Sequence, residues 1–134
     1  MFIQAAEKYF SDPSSKVDLI DMFDDVTLLF ADVAGFTAYS AGVEPDAVVK
    51  MVSSLFIEFD ALCVKNQIYK VYTIGDCYVA MGFINKDNRD PPREAANMMR
   101  MAMEMVEIIR RTRRKINFAE LDMRIGIHTV SSIN

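Results

Sequence analysis

Val26-Thr-Leu-Leu-Phe-Ala-Asp-Val-Ala-Gly-Phe-Thr37 is the stretch around which this chain is organised. Val26–Ala31 is β-branched, aromatic and aliphatic on both faces, the pattern of a buried central strand, which is read as running to residue 33. Asp32 falls in register with Val26, Leu28 and Phe30, on one side of that strand. A carboxylate there is costly to desolvate without a cation or a hydrogen-bond donor. Ala34-Gly35-Phe36-Thr37 then makes a small-residue turn into a short helix. The N-terminus of that helix offers free backbone N–H groups and the positive end of a dipole, a place for phosphate. An acid suited to a metal, next to amides suited to a phosphate, points to nucleotide chemistry.

Working outward, Glu44-Pro45-Asp46 opens a long helix, with Pro at the first helical position and acids at the dipole's positive end. Val48, Val52, Leu55, Phe59 and Leu62 recur at three- and four-residue steps, so one face packs on a sheet, and Asn66 is the expected stop. Ile68–Ile74 reads as a second strand, Gly75-Asp76 as a two-residue hairpin turn, and Cys77–Ile84 as a third strand. A polar loop over Asn85–Pro92 follows, with Asp90 as cap and Pro91 starting a second long helix that runs to about Lys115. Leu121–Thr129 is the fourth strand. At the other end, Met1–Tyr9 reads as a short helix, Ser11–Ser15 as a linker and Val17–Phe23 as an extended edge. Residues 1–23 are thus a lead-in, and 24–134 form one domain.

The order is β-α-β-β-α-β, the split unit of a ferredoxin-like sheet in an α+β fold with helices on one face. If the first strand runs upward, the crossover helix makes the second run upward too, and the third descends from the turn at Gly75-Asp76. With the third strand beside the first, Asp76 starts where Asp32 ends. Two carboxylates at one rim repel each other unless a cation sits between them. Mg²⁺ or Mn²⁺, hard ions with oxygen ligands, suit such an open site better than Zn²⁺. A pair of such ions would activate one oxygen and neutralise phosphate in an in-line displacement. The plainer reading of each acid alone is a surface turn or cap; the two together, beside the phosphate-ready turn, favour the metal site.

With 134 residues, 51% hydrophobic and 25% charged, the chain has the composition of one globular domain with a sizeable core. A net charge of −4 and a pI near 4.9 argue against broad nucleic-acid binding but leave small phosphorylated ligands open. Arg110, Arg111, Arg113, Arg114 and Lys115 gather at the end of the second long helix. They are read as cations complementing the helix C-terminus rather than as a nucleic-acid patch. Cys63 and Cys77 have no metal-ligand spacing and read as reduced core thiols, of the kind an intracellular protein carries. Met98, Met99, Met101, Met103 and Met105 crowd the same helix and read as gap-filling core rather than ligands. The lone His128 reads as a strand residue. No segment could span a membrane, so attachment to one would need sequence outside this chain.

Phe30-Ala-Asp-Val-Ala-Gly-Phe-Thr37 and Tyr69-Lys-Val-Tyr-Thr-Ile-Gly-Asp-Cys-Tyr78 resemble the two metal-binding motifs of class III nucleotidyl (adenylate/guanylate) cyclases. Met123-Arg-Ile-Gly-Ile-His-Thr129 resembles the family's fourth-strand motif. The likeness covers about residues 24–129, and its wording is most similar to the large membrane guanylyl cyclases of protists. It implies a domain on the cytoplasmic face of a full-length membrane protein. It also implies an enzyme of cyclic-nucleotide signalling, a lyase that makes cyclic nucleotide and pyrophosphate from GTP or ATP with two Mg²⁺ or Mn²⁺ ions. In the family those ions sit between two cyclase domains, so a second domain is the implied partner.

By the same resemblance Asp32 and Asp76 carry the ions, with the Val33 carbonyl as a further ligand. The amides of Gly35, Phe36 and Thr37 hold terminal phosphates, together with Gly75 of the hairpin turn, and Arg124 contacts phosphate. Tyr72 stands where the family commonly has Lys for adenine or Glu for guanine, so the base is left open, with GTP preferred. Val130 replaces a glycine of the family pattern, and the last helix and hairpin with their transition-state Asn/Arg pair are not in the sequence. The chain therefore resembles a metal-binding half that by itself cyclises neither triphosphate. A non-catalytic dimerisation or regulatory domain of the same family is the alternative. An RNA-binding module is opposed by the acidic pI and the lack of an aromatic platform. A diguanylate cyclase is opposed by the absence of its Gly-Gly-acid-acid-Phe turn from Ile74-Gly75-Asp76-Cys77.

Overall fold

The computed structural model describes residues 24–131. The helix expected over 1–9, the linker and the edge at 17–23 lie outside the described residues. Within them the order is β1 (Val26–Ala34), α1 (Phe36–Gly42), α2 (Pro45–Asn66), β2 (Tyr69–Ile74), β3 (Cys77–Met81), α3 (Pro91–Lys115) and β4 (Asp122–Val130). The four strands form one antiparallel sheet in the order β2-β3-β1-β4, as the ferredoxin-like reading requires.

β1 is central because both of its faces are apolar. Leu29, Ala31 and Val33 face the helices, in one cluster with Leu55, Phe59, Met98, Met101 and Met105. Val26, Leu28 and Phe30 face the other way, with Cys77, Val79 and Met81. The two cysteines are free, buried, and on opposite sides of the sheet. Thr27, fully buried on the helix side, is satisfied by Thr129 across the β1–β4 ladder at 2.8 Å.

The expected stripe of α2 is rotated slightly. Met51, Leu55, Phe59 and Cys63 are buried, while Val48, Val52 and Leu62 flank them half-buried. The methionines of α3 divide in the same way. Met98, Met101 and Met105, spaced three and four apart, are fully buried, but Met99 and Met103 are exposed. Only the first three are core.

Most boundaries fall within a residue of the sequence reading: β1 runs one residue further, to Ala34, and β2 starts one later, at Tyr69. α2 does end at Asn66, but the left-handed residue is Gln67 (φ 57°). Asn66 instead turns its amide inward, donating to the Leu62 carbonyl at 2.9 Å and to Glu104 at 3.0 Å. β4 is displaced by one residue, to Asp122–Val130. β3 stops at Met81 rather than Ile84. The Gly82 N–H still reaches the Thr27 carbonyl at 2.9 Å, and there the chain brushes the start of α3. A Cβ on Gly82 would lie 3.2 Å from the Glu94 Cβ. Phe83 leaves the ladder to stack under Arg89, whose Nε donates to the buried Glu94 at 2.9 Å. Glu94 also accepts from the Asp90 N–H at 2.8 Å while Asp90 accepts from Arg93 N, so the cap of α3 is closed from both sides. That cap takes over Phe83, and Ile84, which alternation also assigned to the strand, is left exposed.

Three cations of the basic end of α3 are held in local pairs: Arg110 with Glu107, Arg111 with Glu58, and Arg113 with the Leu121 carbonyl and Asp122. No helix among the described residues is long and apolar enough to cross a membrane.

Candidate metal and nucleotide site

Asp32 ends the buried run of β1 on the side of the sheet away from the helices, 2% exposed. Its neighbours in the ladder are Cys77 on β3 and Arg124 on β4. The hairpin turn lies at the same rim, where the Val33 N–H donates to the Asp76 carbonyl at 3.3 Å. The two acids that the sequence separates therefore meet, and the electrostatics report it. Burial, and next the Asp32 carboxylate, raise the Asp76 pKa above the usual carboxylate range. The Cys77 thiol between them is pushed up to about 11, by burial first and then by both acids.

One guanidinium partly offsets this charge. Arg124 Nη2 donates to Asp32 Oδ2 at 2.8 Å from a half-exposed side chain. Asp32 Oδ1 is buried with no hydrogen-bond partner. One cation against two carboxylates leaves a net negative rim and an unused, desolvated oxygen lone pair, which is costly as it stands. That donor set fits a hard divalent cation. Among the described residues no group of three or more His, Cys, Asp or Glu side chains forms. The remaining ligands would have to be backbone carbonyl, water or the oxygens of a bound phosphate.

The turn after β1 has a specific backbone. Gly35 adopts φ 77°, ψ 3° and caps α1, whose first two residues are Phe36 and Thr37. A Cβ at this position would lie 2.4 Å from the Glu120 carbonyl oxygen. Gly35 is thus required twice, for its left-handed φ and for this close approach. Gly75, first residue of the hairpin turn, has φ 57° with open space around it. Val33 is buried, its side chain among the helix-facing core and its backbone at the rim. Tyr72 pairs with Val79, whose side chain lies on the Asp32 side, and a bulge between Lys70 and Tyr72 precedes it. Tyr72 therefore shares a sheet face with Asp32. His128 pairs with Leu28 near the far end of the ladder from Asp32.

Three features escape sequence reasoning. The Asp32–Arg124 ion pair requires the β1–β4 register, which alternation alone does not fix. The Glu120 contact with Gly35 is backbone to side-chain-less backbone and has no residue signature beyond the glycine. The hairpin is also pinned to α2. Tyr78, fully buried, donates to Asp60 at 2.7 Å, lies 3.3 Å from Cys63 Sγ, and has Lys70 over its ring. The signal available for that contact was a tyrosine at an inward strand position, which needs a partner for its hydroxyl.

The split-βαβ sheet thus brings the two acids and the glycine turn after β1 to one rim. The family model of the adenylate and guanylate cyclase catalytic domain matches residues 20–133, and the chain belongs to that family. It is 38% identical over 121 residues to guanylate cyclase alpha of Plasmodium falciparum, covering 88% of this chain and 3% of that protein. It is 37% identical over 110 residues to rat atrial natriuretic peptide receptor 2, covering 81% of this chain and 10% of that one. Among solved structures it is similar to the adenylyl cyclase CyaB from P. aeruginosa (TM-score 0.72, 21% identity, 80% of this chain and 56% of that one). It is also similar to the guanylate cyclase domain of RhGC from Catenaria anguillulae in complex with GTP (TM-score 0.67, 24% identity, 81% and 57%). The chain thus spans a small part of its curated relatives and little more than half of the structural neighbours.

Proposed function

We propose that this chain is the metal-binding half of a nucleotidyl cyclase, working with a second cyclase domain to turn GTP, in preference to ATP, into cyclic nucleotide and pyrophosphate. The observation that carries the reading is the rim itself: Asp32 with a partnerless buried oxygen, and Asp76 raised by burial and by Asp32. Asp32, Asp76 and the Val33 carbonyl would hold two Mg²⁺ or Mn²⁺ ions. Bound there, such ions lower the pKa of an attacking hydroxyl and offset charge on a departing pyrophosphate.

This chain's own residues supply the rest. The Gly35–Thr37 amides bind the terminal phosphates, with Gly75 leaving the hairpin side of the rim uncrowded. Arg124, its side chain half-exposed, is placed to contact phosphate and would be released for it if Asp32 had another counter-charge. The buried face below Asp32 keeps water from the inner side of its carboxylate, while Arg124 stays open to solvent and Asp76 partly so. The preference for GTP is supported by the family resemblance to relatives named as guanylate cyclases, those of Plasmodium falciparum and Toxoplasma gondii. Tyr72, whose phenol both donates and accepts, does not select the base from this half. Within the whole protein the domain would serve cyclic-nucleotide signalling at the cytoplasmic face of a membrane that other segments reach.

The test is Mn²⁺ binding to the chain by electron paramagnetic resonance, with and without GTP. Asp32→Asn and Asp76→Asn keep shape and remove charge. Each is expected to weaken Mn²⁺ binding by about tenfold or more, that is, by at least about 1.4 kcal/mol, with the circular dichroism spectrum unchanged. In a paired catalytic domain each should also abolish metal-dependent turnover. Undiminished Mn²⁺ affinity in either variant would sink the two-acid assignment.

A further inference from the structure

On the helix side of the sheet, α1, α2 and the last turns of α3 enclose a groove of about 530 Å³, separate from the Asp32–Asp76 rim. That volume lies within the roughly 300–1,000 Å³ of small-molecule sites. Tyr39, Met51 and Ile116 give it an apolar floor, and Lys50, Arg111 and Lys115 stand along it. Glu58 is the one acid lining it, and that carboxylate is taken by Arg111. Lys50 and Lys115 have no acidic partner among the described residues. Tyr39 is 8% exposed, yet its hydroxyl makes no hydrogen bond among the described residues. The hydroxyl of Thr112 is already used by the Ile108 carbonyl at 2.8 Å.

A floor of this kind favours an apolar body, and two unpaired ammonium groups with a free phenol favour a negative end. Inorganic phosphate would leave the floor uncovered, and a neutral apolar molecule would leave the cations unused. We propose that the groove binds an organic anion with an apolar body, its charged end on Lys50 and Lys115 and its body against Tyr39, Met51 and Ile116. The occupant would touch the helix that begins at the phosphate turn, since the Tyr39 N–H donates to the Gly35 carbonyl at 3.0 Å and its ring packs on Phe118 at 5.4 Å. The inference goes beyond the cyclase reading, and its test involves neither metal nor nucleotide.

The probe is anilinonaphthalene sulfonate, titrated into the full chain and followed by fluorescence and amide chemical shifts. One saturable site is expected, with shifts at Tyr39, Ser54 and Thr112. Combining Lys50→Glu with Lys115→Glu should weaken binding by about tenfold or more, the scale of a single charge-assisted hydrogen bond. Both lysines are exposed, so the fold is not at risk. Lys86→Glu, in the loop at the opposite end of α3, should change affinity by less than about twofold, as distant surface charges do. Ser54→Trp, on the groove wall, should block the site. Phenylnaphthylamine, a neutral analogue without the sulfonate, should bind about tenfold more weakly for want of the same charged contact. Shifts confined to other parts of the chain, equal affinity for the neutral dye, or an unaltered titration in the double-lysine variant would each overturn the proposal.

Discussion

Replacing Gly35 with alanine tests how the turn after β1, proposed above to bind phosphate, is held. An alanine at φ 77° costs about 1–2 kcal/mol for the left-handed backbone. Its Cβ would lie 2.4 Å from the Glu120 carbonyl oxygen and 3.0 Å from its carbon. Neither atom is free to move, because the next residue, Leu121, is fully buried. Overpacking of that kind adds about 1–3 kcal/mol. The sum, about 2–5 kcal/mol, is a large share of the roughly 5–15 kcal/mol that holds a domain together. Gly75→Ala supplies the internal control: φ 57°, with nothing within 4 Å of the added carbon. It should cost only the backbone part, about 1–2 kcal/mol. Urea unfolding of both variants by circular dichroism, with slopes compared, gives the difference directly. Equal losses in the two variants would refute the claim that Glu120 closes on the turn.

Tyr78→Phe removes a buried hydroxyl that binds the Asp60 carboxylate, and should cost about 1.5–3 kcal/mol in the same urea assay. A neutral result would mean that the hairpin is not pinned through Asp60. Met101→Ala, at a fully buried position, should cost about 2–5 kcal/mol, whereas Met103→Ala on the exposed face should stay within about 0.5 kcal/mol. Similar losses for both would contradict the division of the methionine stripe. Glu104 is held below its ordinary pKa chiefly by the hydrogen bond from Lys65. Its contribution is therefore complete above the unfolded-state value, about 4.3, and disappears as pH falls through the lower folded-state value. Urea midpoints measured against pH should fall on that acid limb in the parent chain and fall less in Glu104→Gln.

The sheet was legible because its signals are local and periodic. The two-sided apolar run of β1, the Gly75-Asp76 turn and the Pro-opened helices each specify one element, and their order leaves one familiar way to pair the strands. The meeting of Asp32 with Asp76 follows from that topology and needs no contact information. What could not be read depends on register or on competition between elements. Phe83 and Ile84 alternate as a strand should, but the cap built by Asp90, Glu94 and Arg89 claims the chain first. The charge pair at Arg124 depends on a residue-by-residue alignment of the first and last strands. The bulge before Tyr72 shifts a side chain by one position, and a motif quoted as a string does not reveal it.

The ion pair between Asp32 and Arg124 joins residues 92 positions apart. A ribosome therefore makes the acid long before its counter-charge exists. Until β4 has been synthesised, a sheet closed over Asp32 would enclose a carboxylate opposed by another carboxylate on the neighbouring turn, an arrangement strongly disfavoured in a dry interior. The nascent chain has reason to keep its central strand open, and to complete the sheet in one late step when the last strand docks beside the first. If the rim holds a divalent ion as proposed, such ions present during synthesis would loosen that order, by giving the two acids a partner before the arginine arrives.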